Sequence, residues 1–167
     1  MAQVRLYPSY TAIGAPVWIV MDYYLGLGDV GEWGITALLW AFLGWAWYRV
    51  LWQERMAWLD WTVMLTLTVT HLSAMRTATP HFVVFTIPLV FYLKQLAQRG
   101  RRGRRWIALI LVGALILPWA HFVLTVEGRF EHPTVYLPVP LGMLLVLWLT
   151  RRLWWQTPSV LVPEGTA

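Results

Sequence analysis

The side chains best suited to chemistry in this chain are four imidazoles, His71, His81, His121 and His132, with one guanidinium, Arg76, placed among them. Arg76 lies midway between His71 and His81. An arginine offers a phosphate two parallel hydrogen bonds from a planar fork. Arg76 with His81 or His71 is therefore a candidate lipid-phosphate site. Neutral imidazole is also a good metal ligand, so His71 and His121 are candidate ligands for a metal or a pigment. The third reading is structural: histidines that bond between helices, and an arginine that anchors an interface. The spacing fits no zinc motif of the H-E-x-x-H kind.

Asp60 is a carboxylate near the start of a long apolar run. It could relay protons or ions. Its shallow place near Arg49 and Arg55 fits better an interfacial ion pair, or a carboxylate favoured by a helix start. Cysteine is absent, which excludes disulfides, Cys-ligated zinc, iron–sulfur clusters and covalent c-type haem in this chain.

The elements that must position these groups are membrane helices. The 167 residues are 59% hydrophobic and 13% charged, where a soluble domain carries about 25% charge. Mean hydropathy is +0.56. Many of the 13 tryptophans stand at the edges of apolar runs, as expected of side chains that favour the headgroup layer. A pI near 10.0 would suit nucleic acid, but the basic residues are placed as topology signals, so no nucleic-acid partner is expected. No secretory signal peptide and no internal repeat are visible.

Residues 12–27 are apolar but contain Gly14, Pro16 and Asp22. A crossing needs about 20 apolar residues, and burying Asp22 is costly. Residues 1–33 are therefore expected to hold an interfacial or re-entrant helix, with a sixth span as the alternative, closed by an acidic loop of Asp29 and Glu32. Residues 34–155 form the transmembrane domain, an all-α polytopic bundle with spans over 34–52, 58–74, 81–96, 106–126 and 135–155. The second span carries Thr62, Thr66, Thr68 and Thr70, whose hydroxyls can bond backbone carbonyls or a neighbouring helix. Pro88 is expected to kink the third. Pro138 and Pro140 fall in the first turns of the fifth, where proline is well tolerated. The tail, 156–167, is expected to be disordered and cytoplasmic.

Orientation follows from a basic loop, Arg99, Arg101, Arg102, Arg104 and Arg105, between two apolar runs. Clustered positive charge stays on the cytoplasmic side. With this loop inside, Arg49, Arg55, Lys94, Arg151 and Arg152 also fall inside, and only Arg76 and Arg129 fall outside, leaving Arg5 aside. All four histidines then map to the outer half. The expected location is a bacterial cytoplasmic membrane, with the C-terminus in the cytoplasm. The basic loop could also hold anionic headgroups.

The segment Thr77-Ala78-Thr79-Pro80-His81-Phe82-Val83-Val84-Phe85-Thr86-Ile87-Pro88 resembles the later membrane half of GT-C glycosyltransferases, of the polyprenol-phosphate-mannose-dependent mannosyltransferase type. Tyr7-Pro8-Ser9-Tyr10, the weak apolar stretch after it, and Glu131-His132-Pro133 before a proline-bearing last span look similar too. The resemblance implies a helical membrane bundle and a polyprenyl-phosphate-sugar donor on the outer face. It also implies that His81 and Arg76 lie near the donor phosphate. Such enzymes rely on an acidic residue in the first outer loop of a longer N-terminal half. This chain starts with Met1, and nothing aligns Asp29 or Glu32 with that residue. The resemblance thus implies a non-catalytic membrane half, or a piece that works with a partner. The competing expectation is an accessory subunit of a larger respiratory or photosynthetic membrane complex. Membrane lipids and other membrane subunits are the expected partners.

Overall fold

The computed structural model describes residues 15–73, 79–125 and 137–156, and no strand occurs among them. Arg76, Arg129, His132, the Tyr7-Pro8-Ser9-Tyr10 stretch and residues 157–167 lie outside the described residues, as does the side chain of His81.

The first helix, α1 (Pro16–Ile19), opens on proline, whose missing N–H is no loss at a helix start. It continues as a π turn over Val20–Tyr24 and ends at Gly26 and Gly28, both at positive φ. Residues 16–24 rise only about 13 Å, against the roughly 30 Å of a bilayer core. The described part of this segment is therefore too short to cross. Ala15, Pro16 and Val17 are buried against the bundle while Asp22 is exposed, so no carboxylate is forced inside. Trp18 Nε1 donates to Thr36 Oγ1 at 3.0 Å, tying this piece to the next helix.

That helix, α2 (Gly28–Leu51), begins earlier than the sequence suggests. The stretch expected as an acidic loop is its first turns. Asp29 there meets the positive end of the helix dipole, which favours it. A stripe of Leu39, Leu43, Ala46 and Val50 is buried, with the 3–4 spacing of one helix face; Ile35, Phe42 and Trp47 flank it against the core, and Leu38, Trp40 and Leu51 are exposed. After a 3-10 turn, Met56–Trp58, comes α3 (Leu59–Ser73). It is buried on almost every side, packed between α2 and α6 (Pro138–Gln156). Three of its four threonine hydroxyls bond the preceding turn, while that of Thr62 is buried without a partner among the described residues. Thr66 donates to the carbonyl of Thr62 at 2.8 Å, Thr68 to Met64 at 2.9 Å and Thr70 to Thr66 at 2.7 Å. Thr66 Oγ1 also accepts from Trp47 Nε1 of α2 at 3.0 Å.

The expected kink at Pro88 does not arise as a break within one α-helix. A 3-10 segment, Thr79–Phe85, leads into α4 (Thr86–Ala97). Pro88 is the third residue of α4, where its amide would have no intrahelical partner in any case.

The basic stretch expected as a loop is helical. α5 (Gly100–Thr125) starts at Gly100, so Arg101, Arg102, Arg104 and Arg105 occupy its first turns, all exposed. Arginine is a good helix former, and solvation screens the adverse dipole at this end. The connection from α4 is a tight turn: Arg99 N donates to Leu96 O at 3.0 Å, and Gly100 has φ +64°. Gly103 packs so closely that an added Cβ would stand 1.8 Å from the Leu96 carbonyl oxygen.

Among the described residues, α2 and α5 are long and apolar enough to cross a membrane. No residue in the apolar window of α5 is buried within the protein; the helix packs on α4. The core joins α1, α2, α3 and α6 through Leu39, Leu43, Trp61, Met64, Leu65 and Leu147. At one end of it tryptophans dominate. Trp58 and Trp155 stack at 3.9 Å and 8°, and Trp61 meets Trp155 edge-on at 5.5 Å. Trp61 Nε1 donates to the Leu147 carbonyl at 3.0 Å, linking α3 to α6.

Candidate functional site

At the opposite end of the bundle stands His71. His71 lies in the last turn of α3, 7% exposed. Its ring meets Phe85 edge-on at 4.7 Å and Phe82 at 5.5 Å. Both phenylalanines belong to the 3-10 segment Thr79–Phe85, and His81 immediately precedes Phe82 on it. The structure thus brings the turn bearing His81 against His71. Arg76 belongs to the connection between these two elements. The last turn of α3 is the negative end of its dipole, where a cation such as an arginine is favoured.

The same two phenylalanines open a lateral groove. It has a volume of about 420 Å³ and lies between α4, α5 and α6. Thr86, Leu89 and Tyr92 of α4, Leu117 of α5 and Met143 of α6 line it. Gly113 and Gly142 face it, and an added Cβ on Gly142 would meet nothing within 4 Å. Along α6 the groove runs from Pro138 to Val146, about 12 Å of helix. It starts beside the imidazole and leads inward, apolar almost throughout. Thr86 and Tyr92 bring its side-chain hydroxyls. A molecule with an anionic head at the rim and a hydrocarbon tail beneath matches this distribution of polarity.

No protein-family model, curated protein or solved structure matches the chain. The site is therefore read from its own geometry.

His121 is half-buried on α5. α5 packs on α4, and α3 packs on α2 and α6. Among the described residues no three histidine, aspartate or glutamate side chains gather as a metal site. Asp60 is buried at 5% exposure in the first turn of α3, at the tryptophan end and far along the helix from His71. Of the acidic pair, Asp29 is exposed and Glu32 half-buried. The Glu32 carbonyl accepts from Thr36 Oγ1 at 2.8 Å.

The sequence reading missed the groove. Its only trace there is a pair of small residues, Gly113 and Gly142, in otherwise bulky runs. Glycine in an apolar helix signals close packing as often as open space, so the signal points both ways until the neighbours are known.

Proposed function

We propose that this chain is a polytopic protein of a bacterial cytoplasmic membrane, with five spans and a cytoplasmic C-terminus, that binds a lipid phosphate at its outer face. The phosphate sits among Arg76, His81 and His71, and the hydrocarbon chain lies in the groove below. The observation that carries this reading is the sharing of Phe82 and Phe85 between the His71 contacts and the mouth of the groove. Lipid chains gain little from leaving other lipid, so the head must supply most of the selectivity. Arginine and imidazolium do so through charge-assisted hydrogen bonds.

A polyprenyl phosphate, with or without an attached sugar, is the ligand that the GT-C resemblance suggests. The chain then serves as the membrane half of a glycosyltransferase-like system, holding the donor while an acidic base acts elsewhere. The test is retention of polyprenyl phosphate after purification in mild detergent, read by mass spectrometry. Wild-type protein retains it, and Arg76→Ala and His81→Ala lose it by about tenfold or more, as expected for one or two charge-assisted bonds. Equal retention by all three proteins refutes the site.

The second reading, an accessory subunit, has one observation in its favour. The exposed apolar surface of α5 includes Leu109, Val112, Leu115 and Leu117, and either lipid or a neighbouring subunit can cover it. Stoichiometric co-purification of another membrane protein, with lipid retention indifferent to Arg76→Ala, would favour that role.

A further inference from the structure

The tryptophan end of the bundle carries a second set of cations that the outer-face reading does not use. Arg49, in the last turn of α2, places its guanidinium carbon 5.1 Å from the centre of the Trp58 ring. Arg55, just before the 3-10 turn, lies 5.5 Å from the same ring. Two positive charges thus share one indole. Arg49 is half-buried and Arg55 exposed, so an anion arriving from outside can meet both guanidiniums through charge-assisted hydrogen bonds. Trp155, stacked on Trp58, has a buried Nε1 with no acceptor among the described residues, and so has Arg49 at Nε. Buried donors of this kind are nearly always satisfied, so two of them in one aromatic cluster call for an acceptor. Glu54 is exposed; Asp60 is buried in the first turn of α3 and has a partner.

We infer that this cluster binds one anionic phospholipid by its phosphate, clamped by Arg49 and Arg55 with Trp155 Nε1 as a further donor. A lipid is the occupant because of depth. Trp45, Trp52, Trp58 and Trp155 gather where α2 ends, α3 begins and α6 ends, and tryptophan marks the headgroup layer. Arg101, Arg102, Arg104, Arg105, Arg151 and Arg152 belong to the same side of the proposed topology. That side faces the leaflet whose anionic lipids attract basic residues. The inference rests on the membrane reading above but not on the outer-face site.

The test is native mass spectrometry of the full chain from mild detergent micelles, titrated with phosphatidylglycerol or phosphatidylcholine. Wild-type protein should retain one phosphatidylglycerol in preference to phosphatidylcholine. Each basic residue near an anionic headgroup accounts for about a fivefold preference, so Arg49→Gln with Arg55→Gln should cut that retention roughly thirtyfold. Trp155→Phe keeps the stacked ring, loses the donor and should cut it about fivefold. The Arg102→Gln, Arg104→Gln pair should leave the tightly held lipid in place. Inorganic phosphate at millimolar concentration should not displace it; displacement would overturn a lipid as the occupant. Retention unchanged in the Arg49/Arg55 double variant, or equal for the two lipids in wild type, overturns the site. If the double variant fails to fold by circular dichroism, unchanged preference in Trp155→Phe overturns it instead. A chain that does not fractionate with membranes at all overturns the membrane reading, whereas one that does so without lipid preference overturns this site alone.

Discussion

Replacing Trp61 tests whether α3 is the centre of the bundle. The side chain is fully buried and makes ring contacts with Phe42 at 6.0 Å, Trp58 at 6.3 Å and Trp155 at 5.5 Å. Its Nε1 donates to the Leu147 carbonyl across the α3–α6 contact. An aromatic pair contributes about 0.5–1.5 kcal/mol, and an interhelical hydrogen bond in a membrane about 0.6 kcal/mol. Trp61→Phe keeps most of the ring contact and drops the bond, for an expected loss of about 1–2 kcal/mol. Trp61→Ala removes the ring contacts and opens a cavity, for about 3–5 kcal/mol. Burial itself adds little, because lipid is as apolar as the core. The assay is reversible unfolding in mixed micelles by added dodecyl sulfate, followed by far-ultraviolet circular dichroism. If Trp61→Ala stays within about 0.5 kcal/mol of wild type, the size of an ordinary surface change, then α3 is not enclosed as described. If Trp61→Phe costs as much as Trp61→Ala, the hydrogen bond rather than packing holds α3 to α6.

Gly103→Ala should lower stability by about 2 kcal/mol or more in the same assay, since its Cβ would stand 1.8 Å from a backbone oxygen that cannot swing aside. Gly142→Leu should fold like wild type, because the position opens on free space, yet reduce polyprenyl phosphate retention severalfold by filling the groove. His71→Phe keeps an aromatic ring against Phe82 and Phe85 and should preserve the unfolding midpoint. It should also weaken lipid-phosphate retention; unchanged retention would show that His71 serves packing alone. Because the chain has no cysteine, single cysteines at 102 and 130 can be introduced without clearing a background. A membrane-impermeant maleimide added to intact cells should label position 130 and leave 102 unlabelled.

Much of the helical layout was legible because apolar runs and their stops are local properties. Pro138 and Pro140 marked the start of α6, and Thr66, Thr68 and Thr70 of α3 bond backbone carbonyls as the sequence suggested, although Thr62 does not. Three features were not legible, each for a physical reason. Residues 28–33 read as a loop because Asp29, Gly31 and Glu32 are polar or small, yet an acidic first turn is what a helix dipole favours. The arginines of residues 101–105 read as a loop because charge interrupts hydropathy, although arginine propagates a helix readily. The central place of α3 depends on partners distant in the chain. Trp61 and Leu147 are 86 residues apart, and no local pattern encodes that pairing. Of the candidate site, the contact of His71 with Phe82 and Phe85 joins separate elements, and the groove depends on three helices meeting, so neither has a local sequence signature.

The polar ends of α3 leave its middle free of charge. Asp60 stands in its first turn and His71 in its last, about 16 Å apart along the axis. Between them, residues 61–70 offer the bundle only apolar side chains and threonine hydroxyls. Packing at the centre of the helix can therefore be varied without adding or removing a charge.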